Sequence, residues 1–121
     1  MADLTGASFF EGPFHTHFLL HPQWLRIHSD NAGGAVFPVS DFVEFLVRIG
    51  QAQPLPPFTA SEGQTLFLIE NELVHIFGDA GTEVVFPLDD LQAFLEHLTR
   101  IADALTPALA LSVLGHNEPD R

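Results

Sequence analysis

The side chains best suited to chemistry are gathered near the start of the chain. His15, His17 and His21 flank a short apolar run, and Trp24, Arg26 and His28 follow closely. Residues two apart on a strand project to the same side, so His15 and His17 would reach one Zn²⁺ or similar imidazole-favouring ion, with His21 as a weaker third donor. A closed structural site takes about four ligands. No acid stands between His15 and His21, so no metal and no other cofactor is expected. The same alternation places His15, His17, His21, Trp24, Arg26 and His28 on one side of two adjacent strands, where they would form a stacking platform for bases. Asp30 and Asp79 are candidates for paired carboxylates, but each precedes a Gly-containing turn, which is reason enough for an Asp. Nucleophile-elbow, phosphate-loop, dinucleotide and zinc-protease motifs are missing, and there is no cysteine. The expectation is a protein that is not an enzyme.

Charge narrows the partners further. Over 121 residues there are four Arg, no Lys and sixteen acids, a formal net charge of −12. Binding to duplex DNA or to an anionic membrane draws its affinity from neutralising phosphates, which this composition opposes. The chain is 46% hydrophobic with 12 Phe, too apolar for disorder and rich enough for a dense core. No apolar run approaches the length of a membrane span, and no basic segment precedes an apolar one near the start. A single cytoplasmic domain is expected, with no membrane contact.

The elements that must position these residues are written twice. Residues 16–49 align without gaps on 65–98, with 11 identical pairs in 34 positions, among them Thr16/Thr65, Phe18/Phe67, Asp30/Asp79, Asp41/Asp90, Phe45/Phe94 and the run Val36-Phe37-Pro38 on Val85-Phe86-Pro87. Each copy gives two strands (THFLL and WLRIH; TLFLI and LVHIF), a Gly-containing turn and a third strand ending at Pro38 or Pro87. A helix then follows, with Ser40 or Asp89 placed to cap it. Its stripe is Phe42, Phe45, Leu46 and Ile49 in the first copy and Leu91, Phe94, Leu95 and Leu98 in the second. The second helix is expected to run on through Ile101 and Leu105 to Pro107. Extra strands are expected near 7–12 and 58–63. The repeats then span about 7–49 and 58–105, joined by a Pro-rich linker at 50–57. An apolar tail at 106–121 must dock as strand or helix.

The fold class is α+β: a ββββα unit used twice, with antiparallel sheets packed on two helices. In unit order and size the chain resembles the PUR-repeat and Whirly-type families. The resemblance covers most of residues 7–105 and implies single-stranded nucleic-acid binding on the sheet, here through Trp24, Arg26, His28 and His17. The Lys- and Arg-rich strands of those families are missing. Residues 16–49 hold two Arg and three acids, whereas 65–98 hold seven acids and no Arg. The strands of the second copy are apolar on both sides, with Leu66, Leu68, Leu73 and Phe77 opposite the core positions. Such strands are covered either by helices of the other repeat or by a second subunit. Val43 and Val47 add a second apolar stripe to the first helix. The expectation is an acidic interaction or regulatory module, forming a homodimer through these residues and offering its acidic second repeat to a basic protein. Single-stranded nucleic acid is the alternative partner.

Overall fold

Strand-forming runs and proline stops divide the chain into two successions of four strands and a helix. The computed structural model describes residues 8–30, 33–51, 57–78, 82–105 and 107–117. In order these are β1 (Ser8–Glu11), β2 (Thr16–Leu20), β3 (Trp24–Ser29), β4 (Gly33–Pro38), α1 (Val39–Gln51), β5 (Phe58–Thr59), β6 (Leu66–Glu70), β7 (Leu73–Phe77), β8 (Glu83–Pro87), α2 (Leu88–Arg100), a 3₁₀ turn at Ala102–Ala104 and α3 (Pro107–Asn117). The strands form one antiparallel sheet in the order β1-β2-β3-β4-β8-β7-β6-β5. Among the described residues its two halves join through the pairs Gly33↔Val84 and Gly34↔Glu83. Gly33 has a φ of +84°, and a Cβ there would strike the carbonyl oxygen of Glu83. The seam therefore requires glycine.

Local chemistry fixes the hairpins and the helix starts. Asn71 and Glu72 both take positive φ (55° and 63°) in the two-residue β6–β7 loop, the backbone of a type I′ turn that matches strand twist. The tip carbonyls of the β2–β3 and β6–β7 hairpins then receive the first helical N–H groups: Val39 N–H donates to Gln23 O at 3.1 Å, and Leu88 N–H to Glu72 O at 2.9 Å. That satisfies a donor a side-chain cap would otherwise serve. Ser40 and Asp89 consequently lie inside the helices rather than capping them, and Pro87 precedes α2 with no side-chain cap bond.

All three helices pack on one side of the sheet, and α1 and α2 each reach across to the other half. Phe45 of α1 stacks on Phe67 of β6 (4.4 Å between ring centroids), while Phe94 of α2 stacks on Phe18 of β2 (4.2 Å). Phe37 meets Phe67 edge-on, as Phe86 meets Phe18. Beside these stacks lie two carboxylates with no exposed surface, Asp41 and Asp90. Asp90 accepts hydrogen bonds from the backbone N–H groups of Phe14 (2.9 Å) and Thr16 (3.2 Å) in the β1–β2 turn. Asp41 accepts from the N–H groups of Gly63 (3.1 Å) and Thr65 (3.4 Å) in the β5–β6 turn, and from Thr65 Oγ1 at 2.6 Å. Turn and helix meet so closely that a Cβ on Gly12 would lie 2.5 Å from Asp90 Cγ, and one on Gly63 2.7 Å from Asp41 Oδ2.

Four expectations are corrected. The tail forms a third helix, whose Leu109 and Val113 are buried and which contacts both α1 and α2. The described residues therefore form three α-helices, not two, on one sheet. The second helix stops at Arg100, where Ile101 N–H turns back onto the carbonyls of His97 and Leu98, and does not run to Pro107. Strand β5 is only Phe58–Thr59, because Ala60 to Gln64 form the turn gripped by α1. Helix α1 extends to Gln51, into the expected linker, of which residues 52–56 lie outside the described residues.

The clasps predict the outcome of four substitutions read by denaturant midpoints. Asp41→Ala and Asp90→Ala each strand one buried threonine amide and one part-buried turn amide and should cost about 3 kcal/mol. Thr65→Val removes a bonded hydroxyl and should cost about 1–2 kcal/mol, whereas Thr16→Val should cost clearly less, because Thr16 Oγ1 is buried without a partner among the described residues. Equal losses at the two threonines would contradict this picture.

Candidate functional site

With the helices committed to one side, the outward positions of the strands form an open face. Each strand contributes alternate residues: Phe9 and Glu11 from β1, His17 and Leu19 from β2, Trp24, Arg26 and His28 from β3, and Val36 from β4. The second half contributes Leu66 and Leu68 from β6, Leu73, His75 and Phe77 from β7, and Val85 from β8. Helix α1 of the other half packs on the inward side of β6 through Phe45 and Phe67, while among the described residues no helix covers the outward side of these strands. Phe9 (61%), Val36 (45%) and Leu73 (37%) are exposed, with Leu66, Leu68 and Phe77 half-buried beside their neighbours. Leu66 pairs with Phe77, Leu68 with His75 and Leu73 with Glu70, so Leu66 and Phe77 are the apolar pair that lies directly opposite across β6 and β7.

The expected interface divides between two sides of the molecule. Val43 packs partly buried against the core, and Val47 is exposed on the helix layer. Neither shares the open face with Leu66, Leu68, Leu73 and Phe77, so a single interface does not use both sets.

The histidines separate into two groups. His15 is not a β2 residue: its φ of 68° places it in the preceding turn, where Nδ1 lies 2.8 Å from Glu11 Oε2. His17 lies 3.9 Å from the same carboxylate and 3.2 Å from Asp30 Oδ1, and His28 approaches Asp30 at 3.9 Å. His21 is elsewhere, stacked flat on Trp24 with centroids 4.9 Å apart and an interplanar angle of 2°. The three histidines thus do not converge, and no group of three His, Cys, Asp or Glu suited to a metal occurs among the described residues. Asp30 sits in the turn after β3 beside His17 and His28; Asp79 lies outside the described residues. Sequence reasoning missed Glu11, whose only signal was its position four residues before His15.

Two hollows flank Arg26. One, of about 500 Å³, is lined by Gln23, Trp24, Arg26, Val36, Phe37, Pro38, Gly63 and Thr65; it opens where the end of β4 approaches the β5–β6 turn. The other, of about 250 Å³, lies between Phe9, His17, Leu19, Arg26 and His28. Arg26 belongs to both and has no carboxylate within ion-pair distance among the described residues. By contrast Arg48 sits over the ring of Phe58, 5.0 Å from its centroid.

No family model, no curated protein and no solved structure matches the chain. No helix is long and apolar enough to cross a membrane among the described residues.

Two histidines titrate on opposite sides of the ordinary value of 6.5. The hydrogen bond and charge of Glu11 raise His15, while burial, and secondarily the Arg100 charge, lower His97. The raised group contributes stability that is fully present below 6.5 and is lost as pH rises through its folded value. The lowered group favours its neutral form, so its contribution is full above 6.5 and is lost as pH falls through its folded value. NMR titration should therefore find His15 titrating above His97, and Glu11→Gln should bring His15 down without moving His97. The reverse order would refute the assignment.

Proposed function

We propose that the chain is a duplicated ββββα unit of PUR- and Whirly-like architecture working as a non-enzymatic interaction module. It associates with a second copy of itself through the open face of its second half. Support for the duplication comes from residues 49 apart taking the same contacts: Phe14 and Gly63, Thr16 and Thr65, Asp41 and Asp90, Phe45 and Phe94, Gln23 and Glu72.

The observation carrying the functional reading is the patch of Leu66, Leu68, Leu73 and Phe77 on a sheet face that no helix covers. Soluble monomers rarely leave such patches open. A second copy is the occupant because the patch itself is uncharged. Its acids, Glu70, Glu72 and Glu83, stand exposed at the strand ends. Two such patches face to face bury leucine and phenylalanine and leave both acidic rims in water. A basic protein would be drawn to the rim and not to the patch.

Single-stranded nucleic acid is the second reading, favoured by the placement of Trp24, Arg26, His17 and His28 on one open face. Against it stand the net charge of −12, the covering of one indole face by His21 and the proximity of His17 and His28 to Asp30. Stacking on Trp24 would supply about 1–3 kcal/mol per base, with little phosphate neutralisation to add.

Light scattering after size exclusion should give about twice the 13.3 kDa chain mass. Leu73→Asp should return a folded monomer. Added salt should strengthen the dimer by screening like charge. A sharp wild-type monomer at tens of micromolar contradicts the proposal, and sub-micromolar oligonucleotide binding lost in Trp24→Ala would replace it with the nucleic-acid reading.

A further inference from the structure

We infer that the larger hollow beside Arg26 is a binding site for a small amphipathic anion, a molecule with a flat apolar body and one carboxylate, sulfonate or phosphate group. This site has no lining residue in common with the Leu66, Leu68, Leu73 and Phe77 patch.

Charge carries the argument first. The chain has sixteen acids for four Arg, so surface that complements an anion is scarce. None of Arg26, Arg48 and Arg100 has a carboxylate within ion-pair distance among the described residues, and of the three it is Arg26 that lines the hollow. Its cross-strand neighbours are Leu19 on β2 and Val36 on β4, so its donors stand over apolar surface. An exposed guanidinium kept free of acids in a strongly acidic protein offers the molecule's clearest complement to an anion, and its fork geometry suits the oxygens of a carboxylate or phosphate.

Shape carries the second step. A volume of about 500 Å³ falls within the usual range for small-molecule sites, which are mostly apolar with a few fixed polar groups. Trp24, Val36, Phe37 and Pro38 supply the apolar wall, and Gln23 is a further lining residue. The back of the hollow is rigid. Thr65 is tied to Asp41, and a Cβ on Gly63 would lie 2.6 Å from Pro38 Cδ. A preformed wall of this kind does not have to be ordered when the ligand binds.

Trp24, the only tryptophan, lines this hollow, and it is the loss of its response in Arg26→Gln that places the probe there. The full chain is titrated with 8-anilinonaphthalene-1-sulfonate as the anionic probe and with N-phenyl-1-naphthylamine as its uncharged counterpart. The sulfonate should quench Trp24 saturably at about one probe per chain, and Arg26→Gln should weaken it by about tenfold or more, the scale of a lost charge-assisted contact. Arg26→Lys, which keeps the charge, should hold most of the affinity. The uncharged probe should bind all three proteins alike, and Leu73→Asp should leave every result unchanged. Near-ultraviolet circular dichroism identical across the variants shows that the fold is retained. Sulfonate binding equal in wild type and Arg26→Gln, or fluorescence enhancement without quenching of Trp24, overturns the site.

Discussion

Asp41 and Asp90 have no exposed surface, and both direct their oxygens at backbone amides belonging to the other half of the chain. A buried carboxylate is tolerable only where donors surround it, and buried turn amides are tolerable only where an acceptor reaches them. Each clasp meets both requirements at once, and each does so across the halves. From this follow the close approaches at Gly12 and Gly63, the placement of Phe45 under Phe67 and of Phe94 under Phe18, and the dependence of each helix on the opposite strands. Helix α3 then contacts both helices, adding Leu109 and Val113 to the same core.

Locking every helix to one side of the sheet leaves the other side to be defined by the alternate residues of the strands. There the two halves differ while their cores correspond. Phe18 and Phe67 are identical and buried, but outward His17 in one half corresponds to Leu66 in the other, and Trp24, Arg26 and His28 correspond to Leu73, His75 and Phe77. Core positions answer to packing, where a change of one methylene is felt. Outward positions answer to whatever meets the face, so one scaffold presents an imidazole, indole and guanidinium surface beside a leucine-rich one.

Much of this architecture was legible locally. Alternation marked the strands, Pro38 and Pro87 their ends, and the Phe42, Phe45, Leu46 and Ile49 stripe the buried side of α1. The clasps were visible only as identities. Asp41 and Asp90 matched when the sequence was aligned on itself at an offset of 49, yet a carboxylate early in a helix has an ordinary local explanation in the helix dipole. Nothing local reveals a partner 74 residues away. Gly12 and Gly63 escaped notice for a different reason: the β5–β6 turn is one residue longer than the β1–β2 turn, so an ungapped alignment sets Gly63 against Phe14 and Gly12 against Ser61. The tail was undecidable because its apolar residues carry neither a strand nor a helix period. Its helical state comes from docking on α1 and α2. In the site, alternation placed His17, Trp24, Arg26 and His28 on one face, but the Glu11 and Asp30 partners depend on how β1 and the turn after β3 are folded back.

Native-state hydrogen exchange of the four clasped turn amides, Phe14, Thr16, Gly63 and Thr65, examines this interdependence in the intact chain. Turn amides ordinarily exchange through small local openings. If each half is held by the other's helix, all four should exchange only through global unfolding, with one shared opening free energy equal to that of the slowest core amides of β3 and β7. A contradiction would be fast exchange at these amides, or protection of Phe14 and Thr16 that is lost at a different opening free energy from that of Gly63 and Thr65.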